Sequence, residues 1–127
     1  MVLVDSSVWV RFFYGWQPFL SEATQLIRRD EVAAHELVYG ELLMGDIGGG
    51  RKQFLQNYER MWQVRRVPHR EVVELVRARN LHGRGVGWVD VHLLASALAA
   101  RMQFWTADPR LAAIADEFGV GYKLSSA

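Results

Sequence analysis

The chain has 127 residues, a net charge of +1, half of its residues hydrophobic and no cysteine. That length and apolar content fit a single domain over residues 1–127 with a substantial core. The absence of cysteine excludes disulfides and thiolate metal ligands, and the near-neutral balance excludes a global basic field.

The run Val2-Leu3-Val4 is apolar without alternation, as in a strand buried on both faces of a parallel sheet. It meets an acid at Asp5 with no basic leader before it. Ser6 and Ser7 offer N-caps for a helix that Gly15 and Pro18 end. A second helix is expected over 19–29 with Ala23, Leu26 and Ile27 inward, then a short strand around 32–34 and a helix over 36–44 stopped by the Gly45 to Gly50 cluster. A helix over 54–62, a strand over 64–67 and a helix over 70–82 follow. Gly83, Gly85 and Gly87 make a loop before a helix from Asp90 to Met102, apolar around most of its girth and so buried. A strand over 104–106, a helix over 109–118 and a last strand over 120–124 complete the pattern, with the last three residues disordered. Strands alternating with helices predict a three-layer α/β/α domain around a mostly parallel sheet. No stretch approaches the roughly 20 apolar residues of a membrane span, so the expectation is a soluble cytoplasmic protein.

Most of the 14 acidic residues fall where solvent is expected; four do not. Asp5 ends the first strand, and open parallel sheets bind ligands at the carboxyl ends of their strands; it could equally bond the start of the next helix. Glu41 lies three and four residues beyond Val38 and Leu37 on an apolar stripe, where it needs a partner: a site, or a salt bridge to an arginine. Asp90 opens the buried helix, as a ligand or as a cap favoured by the helix dipole. Asp108 precedes Pro109, which is also the signature of an N-cap. Two of the four end strands, and two lie at the start or on the inward face of following helices. In a parallel sheet those places converge. Four carboxylates in one cleft repel one another unless a cation neutralises them. All-oxygen ligands point to Mg²⁺ or Mn²⁺, and such sites activate water for in-line attack on a phosphodiester.

The residues carrying these acids are also familiar as a set. Val-Leu-Val-Asp-Ser-Ser-Val-Trp at 2–9 resembles the opening motif of PIN-domain ribonucleases, in particular VapC toxins of toxin–antitoxin pairs. Tyr-Gly-Glu-Leu-Leu-Met-Gly around Glu41, Gly-Trp-Val-Asp-Val-His-Leu-Leu-Ala-Ser-Ala at 87–97 and Thr-Ala-Asp-Pro-Arg-Leu at 106–111 resemble the next three, in order. The resemblance implies a PIN fold and a Mg²⁺-dependent endoribonuclease that cuts transfer or ribosomal RNA and is neutralised by a cognate antitoxin. It implies Asp5, Asp90 and Asp108 as metal ligands, Glu41 binding metal directly or through water, Ser7 and Thr106 as supporting hydroxyls, and a homodimer. Many members carry a further acid where this chain has Arg110, which leaves one or two metal ions open and offers Arg110 to a substrate phosphate.

Of the 15 Lys and Arg residues only Lys52 and Lys123 are lysine. Arginine suits bidentate phosphate contact, although Glu71 and Glu74 interleave with the central arginines as on a salt-bridged surface. Arg84, in the glycine loop near Asp90, is the one assigned to RNA. His92 is expected to be structural, as are His35, His69 and His82. Trp9, Phe12, Phe13, Tyr14 and Trp16 are too many for one inward stripe, and the resemblance makes Phe12 and Trp16 candidates for antitoxin binding. A phosphoreceiver domain would need a second acid at Ser6, and a haloacid-dehalogenase-type phosphatase would need one at Ser7. The remaining rival is an inactive PIN fold that only binds RNA or protein.

Overall fold

A computed structural model describes residues 1–125. In chain order its elements are β1 (Val2–Val4), α1 (Ser6–Phe13), α2 (Phe19–Arg28), β2 (Val32–Ala33), α3 (Glu36–Met44), α4 (Arg51–Arg60), α5 (His69–Arg79), α6 (Trp88–Ala100), β3 (Gln103–Trp105) and α7 (Pro109–Glu117). The three strands form a parallel sheet in the order β2-β1-β3, with Val2 opposite both Val32 and Gln103. β1 is central, which is why Val2, Leu3 and Val4 are all buried and none is polar. The predicted α/β architecture, a parallel sheet flanked by helices, is the one observed.

The order of the strands places the site. From β1 the chain steps to one neighbour, β2, and later returns to the other side at β3. Right-handed crossovers in opposite directions put helices on both faces and open a crevice at the carboxyl ends of the strands where the direction reverses. That crevice lies between the ends of β1 and β3, where the Asp5 amide donates to the Trp105 carbonyl at 2.9 Å. α6 is buried along most of its length, from Val91 to Ala97.

Several expectations need correction. The strand expected over 64–67 is a single bridge from Ala34 to Gln63, and the one over 120–124 a single bridge from Phe104 to Gly121. Both lie at the sheet's margins, where only one neighbour can pair. Ile27 is 37% exposed rather than inward, because Ala23 and Leu26 already fill the core side of α2. α6 begins at Trp88, so Gly87 is its cap and Asp90 its third residue. Of the three terminal residues expected to be disordered, Ser126 and Ala127 lie outside the described residues, whereas the Ser125 amide and hydroxyl both donate to Glu22 at 3.0 Å. Among the described residues no helix is long and apolar enough to cross a membrane.

Candidate active site at the carboxyl ends of the strands

Asp5 follows the last residue of β1 and caps α1 from an extended backbone. Its carbonyl, not its side chain, accepts from the amides of Val8 and Trp9, which frees the carboxylate to point elsewhere. Oδ2 accepts from the Ser7 hydroxyl at 2.6 Å and the Thr106 hydroxyl at 2.9 Å. Those hydroxyls are pinned in turn: the Ala107 amide donates to Ser7 Oγ at 3.0 Å and the Asp108 amide to Thr106 Oγ1 at 3.1 Å. The end of β3 therefore holds the carboxylate at the end of β1 in one orientation. Asp5 is 4% exposed. Burial pushes its carboxyl above the usual range, the bonds from Ser7 and Thr106 pull it back, and the charge of Asp90 raises it again.

Glu41 reaches the same crevice from α3, where its Oε1 accepts from Ser6 at 2.9 Å. Its carboxyl is also raised, by partial burial first, against the Ser6 bond, and then by Asp5 and Asp90. The salt bridge to an arginine that Glu41 could have made is absent among the described residues. Asp90 folds back at the start of α6, its Oδ2 accepting from the Gly87 amide at 2.9 Å, so it caps its helix as well as facing the crevice. Asp5, Glu41 and Asp90 thus share one electrostatic neighbourhood. Asp108 caps α7, its Oδ1 accepting from the Arg110 amide at 2.8 Å; the thread of bonds through Thr106 and Ser7 links its backbone to Asp5.

Among the described residues no three Asp, Glu, His or Cys groups are gathered closely enough to hold an ion as they stand. The donor chemistry nevertheless fits a hard divalent cation: only oxygens are present, Asp90 raises the cost of ionising Asp5, and Asp5 and Asp90 together raise that of Glu41, which a cation would relieve.

Residues 2–117 match the family model described as PIN domain. The chain belongs to the PIN-domain family. Within it the chain is of the VapC type, being 41% identical over 121 residues, 94% of each chain, to ribonuclease VapC32 of Mycobacterium tuberculosis strain CDC 1551 / Oshkosh, and equally to that of strain ATCC 25618 / H37Rv. The solved structure of PAE2754 from Pyrobaculum aerophilum matches with a TM-score of 0.58 at 18% identity, over 88% of this chain and 82% of that one, a likeness of fold.

The other residues singled out in this PIN domain divide clearly. Arg84 forms two hydrogen bonds with Glu117, so its guanidinium is engaged. Arg110 is exposed, and its side chain lies over Gly85, whose φ of +83° and missing Cβ make room for it. Phe12 packs edge-on against Trp9 and Phe13, whereas Tyr14 and Trp16 are 64% and 55% exposed and lie against one another. His92 is buried and packs edge-on to Trp88. Ser6 was visible in the sequence only as a cap; the structure makes it the partner of Glu41.

Proposed function

We propose that this VapC-type PIN domain is a Mg²⁺-dependent endoribonuclease that hydrolyses phosphodiester bonds of transfer or ribosomal RNA, inhibits translation and is neutralised by a cognate antitoxin. The observation that carries the reading is the buried Asp5 carboxylate, aimed by Ser7 and Thr106 and raised in pKa beside Asp90. Asp5, Glu41, Asp90 and Asp108 would hold the cation, with Mn²⁺ as a substitute. When bound, the cation neutralises the carboxylates, polarises the scissile phosphate and acidifies the attacking water. The chain's own residues do the rest. Ser7 and Thr106 fix the orientation of Asp5, and Ser6 fixes that of Glu41. Gly87 anchors Asp90, Arg110 would meet a flanking phosphate, and Arg84 would do so only on release from Glu117.

The exposed pair Tyr14 and Trp16 is the surface we assign to the antitoxin, Phe12 being committed to the aromatic core. Trp16→Ala is expected to weaken antitoxin binding in a pull-down titration while leaving the melting temperature unchanged. A homodimer is the assembly proposed. The chemistry is tested by the ends of the cleaved RNA. Activated water leaves fragments without a 2′,3′-cyclic phosphate, and their release should stop with EDTA and with Glu41→Gln. Cyclic ends, or cleavage that persists in EDTA, would contradict the mechanism.

A further inference from the structure

His35 is fully buried and stands as the cap of α3, the helix that carries Glu41. Its Nδ1 accepts from the Leu37 amide at 3.0 Å. A nitrogen that accepts is unprotonated, so the ring hydrogen of this neutral imidazole sits on Nε2, which donates to Ser96 Oγ at 2.9 Å. Ser96 is also fully buried, in the middle of α6, the helix that carries Asp90. The His35 amide donates to the Tyr58 hydroxyl at 2.9 Å, which fixes the cap from the α4 side. Each polar atom of the imidazole is therefore used once, and the ring cannot flip without losing both bonds. Glu41 lies six residues after His35 and Asp90 six residues before Ser96, about 9 Å along each helix.

We propose that the His35–Ser96 hydrogen bond is a positioning contact for the carboxylate site: it fixes α3 against α6, hence Glu41 against Asp90, and so sets the affinity for the divalent cation. This rests on reading the site as a cation site. His35 touches neither substrate nor the carboxylates. It acts through the helix it caps, as outer-shell partners act on metal ligands. An arrangement that merely satisfied buried polar groups would affect folding and leave ion affinity alone.

The test is a Mn²⁺ titration of the full-length protein without RNA, with free Mn²⁺ read by electron paramagnetic resonance. Ser96→Ala keeps the His35 cap and removes the acceptor. His35→Asn keeps a capping oxygen but is too short to reach Ser96. Each is expected to raise the Mn²⁺ Kd about tenfold, and the double variant no further, because both remove the same bond. Leu26→Ala, a core truncation in α2, should lower stability without moving the Kd. Wild-type affinity in a folded Ser96→Ala or His35→Asn protein would overturn the proposal while leaving the cation site standing. Failure of the wild-type protein to bind Mn²⁺ at all would remove both.

Discussion

Asp5→Asn separates a group that supports the fold from one held ready for a cation. The amide oxygen can still accept from Ser7 and Thr106, but two charge-assisted bonds become neutral ones, a loss of about 1 kcal/mol each. Against this, the buried charge and its repulsion with Asp90 disappear. The raised pKa of Asp5 shows which side is larger, since without a cation folding makes its ionisation costlier than in the unfolded chain. The metal-free variant should therefore be more stable than wild type by roughly 1 kcal/mol, or about 4 °C in a domain of this size. Mg²⁺ at ten times its Kd should stabilise the wild-type protein by about 1.4 kcal/mol and the variant not at all. Differential scanning fluorimetry with EDTA and with Mg²⁺ reads both effects, and the order of the two melting temperatures should invert. A metal-free variant that melts below wild type would make Asp5 a structural acceptor and refute this reasoning. A Mg²⁺ shift that survives in Asp5→Asn would show that the ion binds elsewhere.

Burial, chiefly, holds His35 down at about 4, with Glu36 opposing and Arg66 and His92 adding to the depression. The unfolded imidazole takes a proton near pH 6.5, so below that pH the unfolded state binds more protons and stability falls. Urea unfolding should show a loss of about 3 kcal/mol from this group between pH 7 and pH 4, and the slope should flatten in His35→Asn; equal slopes would contradict it. Glu22→Ala removes the acceptor of the Tyr122 and Ser125 donors and should cost about 2 kcal/mol in urea unfolding without changing RNA cleavage. Arg110→Ala should weaken RNA binding and reduce the salt slope by about one unit, measured by filter binding in EDTA; an unchanged slope removes Arg110 from the RNA path.

The carboxylate positions were legible because the fold rule is simple: acids that end parallel strands, or begin the helices after them, share one edge. Asp5, beside Glu41 and Asp90, follows directly from it, whereas the Asp108 side chain is engaged as the cap of α7. What was not legible depends on pairs far apart in the chain. His35 and Ser96 are separated by 61 residues and Glu22 and Tyr122 by 100, and neither pair carries a local signal. Ser96 lies in a run of small apolar residues, where it reads as filler until the imidazole is seen against it. Glu22 resembles any exposed helix acid, yet it is 4% exposed, and three donors outweigh the cost of its burial and lower its pKa. The marginal strands were over-read for a related reason. Val64 is buried and Val67, Val120 and Tyr122 pack partly against the core, but ladder pairing needs a neighbour, and each segment is tied to the sheet at a single bridge.

The most direct test of the central claim is incubation of purified protein with end-labelled structured RNA and Mg²⁺, beside EDTA and Asp5→Asn controls. Cleavage by the wild-type protein with Mg²⁺, and in neither control, is the predicted result. Intact transfer and ribosomal RNAs after incubation with folded, antitoxin-free protein and Mg²⁺ would contradict it and leave a PIN fold that binds without cutting.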